Sequence, residues 1–167
     1  MNKVFVSFGA NIDNPILHIR SGLHDLQSST LVNNFTCSSI IITPPMGPAQ
    51  PDYLNGVCCF NFLKNPIQLL ELLHLIESRQ GRNRESEARW GPRTLDLDIL
   101  LFGELQCNSG ALTIPHPGLL QRGFVLLPLA EIAPNLIVHE NKTALELANA
   151  LKKQEDLVYE RYDCNIK

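Results

Sequence analysis

The sequence lacks the glycine-rich loops that many proteins use to hold phosphate groups. It contains no P-loop, no kinase glycine loop and no dinucleotide-binding fingerprint. It also lacks a Ser-His-Asp pattern and an obviously activated cysteine, so covalent catalysis has no support from the sequence. Any phosphate-binding site in this chain therefore has to be built from arginine side chains and metal ions.

An excess of positive charge is also missing. The formal net charge is -3 at pH 7 and the sequence pI is about 5.9. This balance argues against a protein whose main task is to hold nucleic acid or an anionic membrane. No apolar run approaches membrane-spanning length, and the first residues lack the pattern of a secretory signal. We therefore expect a cytoplasmic protein with no nucleic-acid partner and no membrane partner.

The five cysteines do not form a recognisable framework, because their number is odd and their spacing is not that of a metal site. Cys58 and Cys59 are adjacent, so their side chains would point to opposite faces of a strand. These features predict reduced thiols in a cytosolic protein. The composition, 44% apolar and 19% charged over 167 residues, predicts one globular domain that covers residues 1–167.

Hydrophobic periodicity predicts the order strand, helix, strand, strand, helix, strand. The strands are expected at residues 4–8, 35–42, 57–63 and 94–102, and the helices begin at the Asn-Pro pairs 14–15 and 65–66. This order is typical of a ferredoxin-like βαββαβ core of the α+β class, a mainly antiparallel sheet with helices packed on one face. The C-terminal additions include an apolar run at 124–129 and a late helix that opens with a capping box, Thr143 and Glu146.

Two aspartates stand out in the last predicted strand of this core. Leu95, Leu97 and Ile99 share the face that can be buried, while Asp96 and Asp98 share the other face. Alternate strand residues are roughly 7 Å apart, so the two carboxylates are close enough to bracket one or two cations. Oxygen ligands without a His/Cys cluster favour Mg²⁺ over zinc. The alternative is an exposed strand face that carries two solvated acids.

Arginines are concentrated directly before these aspartates. Five of the eight arginines fall within fifteen residues, at Arg79, Arg82, Arg84, Arg89 and Arg93. The planar guanidinium group can hold phosphate oxygens through two hydrogen bonds, so the cluster favours a phosphate site. The alternative is a solvated loop balanced by neighbouring glutamates. Trp90, the only tryptophan, would either pack on the core or flank a nucleotide.

A second group of residues is suited to a flat ligand. The rigid segment 43–46, Thr-Pro-Pro-Met, and the segment around Tyr53 and Asn55 lie at the ends of consecutive predicted strands. Tyr53 offers a stacking face, and Asn55 offers a donor and an acceptor for an amide-like ring edge. The alternative is that Tyr53 is a core aromatic and Asn55 a turn residue. His116, between two prolines, would contact a phosphate or cap its loop.

Taken together, these motifs resemble those of the 6-hydroxymethyl-7,8-dihydropterin pyrophosphokinase family. Residues 89–99, RWGPRTLDLDI, are similar to the family signature, and the segments 43–45, 51–55, 113–116 and 128–134 occur in the family's order. The resemblance implies a monomer that binds MgATP first and closes mobile loops over it. It implies transfer of the β,γ-diphosphoryl group to the pterin hydroxymethyl group, which yields AMP and the pterin diphosphate in folate biosynthesis.

The resemblance also implies a role for individual residues. Arg82, Arg93, Asp96 and Asp98 would be catalytic, with Asp96 and Asp98 as ligands of two Mg²⁺ ions. Pterin binding is implied for Thr43, Pro45, Met46, Tyr53, Asn55, Trp90 and Phe124. ATP binding is implied for His74, Glu77, Arg84, Arg89, Trp90, Arg93, Ile99, Thr113, His116 and Arg122. The connection 82–92 would act as a closing lid.

Three positions differ from the usual family pattern, namely Ala10, Ala111 and Gly118. Two other functions compete with the enzyme hypothesis. An RNA-recognition domain has the same element order, but it needs aromatic strand motifs and a basic surface that this sequence lacks. A catalytically weak pterin-binding or nucleotide-binding module could use the same scaffold, although the intact aspartate pair favours an enzyme.

Overall fold

Alternating side chains of one long strand supply both cores of the protein. The computed structural model describes residues 1–84, 91–155 and 159–162. Strand β1 (Asn2–Ala10) directs Val4, Val6 and Phe8 into one core and Phe5 into the other. Because both faces are apolar, β1 is suited to the centre of a sheet that is covered on both sides.

The sheet around β1 is antiparallel throughout the described pairings. Its other strands are β2 (Val32–Cys37), β3 (Ile40–Thr43), β4 (Tyr53–Phe62), β5 (Asp96–Phe102) and β10 (Glu160–Tyr162). The strand order is β10-β3-β4-β1-β5, and β2 also pairs with β4. This arrangement, together with the helices, confirms the predicted ferredoxin-like α+β class.

The predicted strand at residues 35–42 is in fact divided between β2 and β3. The regular ladder ends at Ser38. Its backbone N–H still donates to Val57 O at 2.9 Å, but Val57 N donates to the Ser38 side-chain Oγ at 3.0 Å. The next residue, Ser39, donates from its backbone N–H and its hydroxyl to Glu131 Oε1, at 2.8 and 2.7 Å. These side-chain bonds replace backbone pairing and let the chain bend between the two strands.

Two helices cover the first face of the sheet. They are α1 (Pro15–Gln27) and α2 (Pro66–Arg79), and both begin with a proline as predicted. Asn65 caps α2 through its side chain, which accepts from Gln68 N at 2.9 Å, whereas Asn14 precedes α1 without a side-chain cap. Gly81 follows α2 with φ of 85°, a conformation that favours glycine at a helix end.

The opposite face is covered by two further helices, so the expectation of helices on one face holds only for α1 and α2. Helix α3 (Gly123–Ile132) contains the run that the sequence marks only as apolar, and α4 (Ala144–Glu155) packs against it. The capping box of α4 is confirmed, since Glu146 N donates to Thr143 Oγ1 at 3.2 Å. Short hairpins complete the fold: β6 (Cys107–Ser109) with β7 (Leu112–Ile114), and β8 (Ile137–His139) with β9 (Lys142–Thr143).

Within residues 1–84, 91–155 and 159–162, no helix is both long enough and apolar enough to cross a bilayer.

Candidate active site

A cleft of about 250 Å³ opens where β1 ends and β4 and β5 begin. The antiparallel register places Gly9 of β1 between Asn55 of β4 and Asp96 of β5. A Cβ atom on residue 9 would lie 2.4 Å from Asn55 Oδ1, so glycine is required for this close approach. The cleft is lined by Ser7, Phe8, Gly9, Thr43, Pro44, Met46, Tyr53, Asn55, Arg93, Asp96, Asp98, His116, Arg122 and Phe124.

Asp96 is held by two arginines. Arg82 Nη1 lies 2.5 Å from Asp96 Oδ1, and Arg93 Nη1 donates to Asp96 Oδ2. Burial alone would raise the pKa of Asp96, but the two guanidinium groups outweigh it and hold this pKa below its usual range. Asp96 is therefore a charged residue whose position is fixed from two sides.

Asp98 lies in the opposite electrostatic environment. Burial, and then the negative charges of Asp96 and Glu77, raise the pKa of the Asp98 carboxyl to about 6. Its side chain is 37% exposed, and Asp98 Oδ2 lies 3.9 Å from His116 Nε2. The carboxylate form of Asp98 would gain strongly from an additional positive charge in the cleft.

The two aspartates fit a magnesium site that is completed by a phosphate substrate. They offer oxygen ligands only, which suits Mg²⁺, and this ion commonly takes one or two carboxylates together with substrate phosphates and water. No cluster of three or more His, Cys, Asp or Glu side chains suited to a metal occurs in the part of the chain that the structure describes. The raised pKa of Asp98 is consistent with a carboxylate that is matched to a cation.

Glu77 lies behind Asp96 and does not line the cleft. This α2 residue is 1% exposed, and its Oε1 accepts from Leu97 N at 2.8 Å and from Arg82 Nη1 at 2.5 Å. Its Oε2 accepts from Arg84 Nε and Nη2, at 2.9 and 2.6 Å. Burial raises the pKa of Glu77, and the arginines and the Leu97 amide oppose this effect. Glu77 thus connects α2 to β5 through the guanidinium group that also holds Asp96.

The arginine-rich segment is divided among several environments. Arg79 lies on the surface of α2, with Nη1 3.8 Å from Asp25 Oδ2, and Arg82 is buried between Glu77 and Asp96. Arg84 pairs with Glu77, and Arg93 reaches the cleft. Arg89 and Trp90 lie outside the described residues, as does most of the predicted lid.

The residues predicted for the flat ligand form one wall of the cleft. Asn55, which is buried, donates from Nδ2 to Thr43 Oγ1 at 2.7 Å. Tyr53 also lines the cleft, and its hydroxyl donates to Gly91 O at 2.9 Å, which restrains the phenol ring. Phe124 also lines the cleft, with the Arg122 guanidinium 5.8 Å from its ring centroid. Two aromatic rings and one amide are therefore available to a planar heterocycle.

His116 lines the cleft beside Asp98, and Gly118 follows it in the same loop. Gly118 N donates to His116 Nδ1 at 3.0 Å, so the proton of the neutral ring lies on Nε2, on the side of Asp98. Burial, and then the Arg122 charge, lower the pKa of His116. A Cβ atom on residue 118 would lie 2.5 Å from Arg122 Nε, so glycine at this position leaves the space that the Arg122 side chain occupies.

Several residues with an implied role lie outside the cleft lining. Among those implied for ATP binding, Glu77 and Ile99 are buried, and His74 and Thr113 do not reach the cleft. Pro45, implied for the pterin, is not part of the lining either, unlike its neighbour Pro44. Their roles in ligand binding remain predictions.

Asn11 is a site residue that sequence reasoning missed. It is 3% exposed and follows directly after β1. Its Oδ1 accepts from Arg93 N at 2.8 Å, while its Nδ2 donates to Gln50 Oε1 and to Pro51 O, both at 3.0 Å. One buried amide thus joins three segments around the cleft. The only sequence signal was its place next to Ala10, one of the positions that differ from the family pattern, and this carries no information about Arg93.

We expect Asn11→Ala to destabilise the protein by about 2 kcal/mol, because the Arg93 N–H and the Pro51 carbonyl, both partly buried, lose their hydrogen bonds to the buried Asn11 amide. Urea denaturation of the ligand-free protein measures this loss. Asn149→Ala is the matched control, because Asn149 lies exposed on α4 and alanine favours a helix. An Asn11→Ala midpoint equal to that of the control would contradict the assigned role.

Comparison with known proteins adds evidence that is independent of the cleft. Residues 5–134 match the family 7,8-dihydro-6-hydroxymethylpterin-pyrophosphokinase (HPPK). The chain is 40% identical over 151 residues to the 2-amino-4-hydroxy-6-hydroxymethyldihydropteridine pyrophosphokinase of Pseudomonas aeruginosa, covering 90% of this chain and 92% of that protein. It is 38% identical over 148 residues to the protein of the same name from Haemophilus influenzae, covering 88% and 91%.

Solved structures show the same fold at low sequence identity. A crystal structure of HPPK-DHPS in complex with substrates superposes with a TM-score of 0.69 at 14% identity, and the match covers 100% of this chain and 48% of that chain. Wild-type Plasmodium falciparum HPPK-DHPS with STZ-DHP gives a TM-score of 0.66 at 16% identity, over 99% of this chain and 43% of that chain. This chain thus spans about half of those solved chains, or slightly less.

The family match extends over the strands and loops that build the cleft, and the relatives are similar over nearly their whole length. We conclude that this chain belongs to the 7,8-dihydro-6-hydroxymethylpterin-pyrophosphokinase family.

Proposed function

We propose that the protein transfers the β,γ-diphosphoryl group of ATP to the hydroxymethyl group of 6-hydroxymethyl-7,8-dihydropterin. The products are AMP and the pterin diphosphate, and the reaction belongs to folate biosynthesis. The observation that carries this proposal is the composition of one cleft, which joins an aromatic and amide wall to the Asp96–Asp98 pair and its arginines. A diphosphokinase needs the residues that bind the ring and the residues that bind metal and phosphate close to each other.

The wall made by Tyr53, Asn55 and Phe124 would bind the pterin. Two ring faces can stack on a planar heterocycle, and the Asn55 amide can pair with its hydrogen-bonding edge. The Asn55–Thr43 hydrogen bond fixes the orientation of the Asn55 amide, so this amide is already positioned to pair with the edge of the pterin ring. Thr43 and Met46 complete this end of the cleft.

Asp96 and Asp98 would hold Mg²⁺, and we propose two ions, as the family resemblance implies. Bound Mg²⁺ supplies positive charge to the phosphate oxygens and acidity to the hydroxyl group that attacks. Arg93 and Arg122 line the same cleft and would neutralise phosphate charge directly. Arg82 would act through Asp96, whose carboxylate it orients. We propose no general base, because positioning and electrostatics carry most of a phosphoryl transfer.

The proposed assembly is a monomer, with small molecules as its partners and the cytoplasm as its location. The net charge of -3 and the family resemblance support this view. The lid role of the segment around Arg84, Arg89 and Trp90 is also a proposal. Hydrogen exchange across 82–92, with and without a MgATP analogue and pterin, would test it.

The direct test is the production of AMP. The protein should release AMP from MgATP only when 6-hydroxymethyl-7,8-dihydropterin is present, in equal amounts with the pterin diphosphate. Binding of both ligands without AMP would instead support the weak pterin-binding or nucleotide-binding module. Binding of RNA without either ligand would support the RNA-recognition alternative.

Removing either stacking ring should weaken pterin binding selectively. We expect Tyr53→Ala and Phe124→Ala each to raise the pterin Kd about fivefold, because each stacking face contributes on the order of 1 kcal/mol beyond area burial. Calorimetry with a pterin in the presence of an ATP analogue measures the change. Affinity for the ATP analogue alone serves as the control, and equal losses for both ligands would indicate a collapsed cleft instead.

A further inference from the structure

Two thiols face each other across the strand pair β2–β4, outside the cleft. Cys37 and Cys58 are direct partners in the antiparallel register. Directly opposed residues point to the same face of a sheet, and both side chains indeed lie in the core that α1 and α2 cover. Cys58 is fully buried and Cys37 is partly exposed.

The backbone at this pair suits a covalent bond between the sulfurs. The next pair along the strands, Ser38–Val57, is hydrogen-bonded, since Ser38 N donates to Val57 O at 2.9 Å. Hydrogen-bonded and non-hydrogen-bonded pairs alternate, so Cys37–Cys58 is a non-hydrogen-bonded pair, with Cα atoms roughly 4.5 Å apart and side chains close together. Disulfides span Cα distances of about 4.4–6.8 Å, so the strands need little adjustment.

We propose that Cys37 and Cys58 form an oxidisable dithiol, which two-electron oxidants such as hydrogen peroxide convert into a cross-strand disulfide. The Cys37 thiolate attacks the peroxide, whose O–O bond breaks to leave a sulfenic acid on Cys37 and one water after protonation. Cys58 then loses its proton and its sulfur displaces the hydroxyl group from Cys37 Sγ, which releases a second water. Two thiols and one peroxide thus yield one disulfide and two waters.

The difference in burial assigns the order of these steps. Cys37 is the more accessible thiol and meets the oxidant first. Burial raises the pKa of the Cys58 thiol, so Cys58 is protected from direct oxidation and acts as the second, resolving group. Cys59 cannot replace it, because its side chain lies on the opposite face, in the core beneath α3 and α4.

The bond would close the segment 38–57, which contributes Thr43, Met46, Tyr53 and Asn55 to the cleft. A cross-link over a loop of this length restrains the unfolded chain, so we expect oxidation to raise the Tm by roughly 5–10 °C. Neither sulfur lines the cleft, so the oxidised protein should keep its ligand-binding wall in place. The inference therefore does not depend on the reaction proposed above.

The experiment treats the full chain with hydrogen peroxide and maps its peptides by mass spectrometry without reduction. We expect a linked peptide pair that joins Cys37 to Cys58 and lacks two hydrogens, together with a higher Tm that dithiothreitol reverses. Cys37→Ser should abolish both the linked pair and the Tm shift. It leaves the buried Cys58 in place, so it is the informative variant if Cys58→Ser fails to fold.

Cys59→Ser is the matched control, because it removes the neighbouring thiol on the other face and should keep the linked pair and the Tm shift. Three results would overturn the proposal: a Cys37 that ends as sulfinic acid, a bond from Cys37 to Cys59, Cys107 or Cys164, or a linked pair that forms without any rise in Tm.

Discussion

Asp98→Asn is expected to abolish turnover and, at the same time, to raise the Tm of the ligand-free protein. Loss of a charged ligand from the proposed Mg²⁺ site should lower kcat/KM by at least about 100-fold. The gain in stability has a separate cause. The pKa of Asp98 is raised from 3.8 to about 6 in the folded protein, so the fold favours the protonated carboxyl. The stability of the protein therefore falls as the pH rises through this range.

Above pH 6 the ionised Asp98 carboxylate lowers the free energy of unfolding. Asparagine does not ionise, so Asp98→Asn removes this loss of stability. A pKa shift of this size would correspond to about 3 kcal/mol for a fully shielded group. Because the Asp98 side chain is 37% exposed, solvent screening reduces the expected gain to about 1 kcal/mol, or a Tm increase of roughly 2–4 °C. Thermal unfolding at pH 7.5 measures it. The gain should shrink toward pH 5, where native Asp98 is largely protonated.

Asp96→Asn provides the contrasting variant. The pKa of Asp96 is lowered in the folded state, so its charge stabilises the protein at neutral pH, and this contribution is lost only as the pH falls through the lowered pKa. Removing the charge leaves Arg82 and Arg93 without their shared partner, and we expect a loss of about 2 kcal/mol. Both variants should be inactive. A lower Tm for Asp98→Asn, or equal Tm changes in both, would contradict this electrostatic asymmetry.

Local patterns in the sequence predicted most of the fold. They failed for segments whose conformation is determined by tertiary contacts. The strand and helix periods around Val4, Leu23 and Leu73 were sufficient, because these residues only have to share one face. Helix α3 escaped prediction because it is apolar on nearly all sides and contains Pro128. Its helical state depends on burial between the sheet and α4. The break at Ser38 likewise depends on Glu131, a residue from a distant helix.

The candidate site shows the same division. The shared face of Asp96 and Asp98 followed from the strand period, and both carboxylates line the cleft. The strand period could not predict that the pKa of Asp96 is lowered and the pKa of Asp98 is raised. These shifts depend on Arg82 and Glu77, which contact or approach the aspartates from the end of α2. The Asn11–Arg93 contact joins residues 82 positions apart, a separation that no local pattern encodes.

The contact between α2 and β5 depends on one buried carboxylate. Glu77 accepts hydrogen bonds from Arg82, Arg84 and the Leu97 amide, and its side chain is 1% exposed. Arg82, whose side chain is 4% exposed, then connects Glu77 to Asp96. Burial raises the pKa of Glu77, so its charge is itself costly, but alanine also removes the hydrogen bonds from Arg82, Arg84 and the Leu97 amide. The buried Arg82 then keeps one carboxylate partner, Asp96, where it had two, and the Leu97 amide loses its acceptor.

Glu77→Ala should therefore destabilise the protein by about 3–5 kcal/mol and lower its Tm by roughly 10 °C. Urea denaturation and thermal unfolding of the ligand-free protein measure the effect. Glu71→Ala is the matched control, since Glu71 lies exposed on the same helix and its loss should change stability by less than about 0.5 kcal/mol. Activity per folded molecule should also fall, because Arg82 then holds Asp96 without its anchor. Equal stability of the two variants would show that α2 and β5 are held together by apolar packing, without a contribution from Glu77.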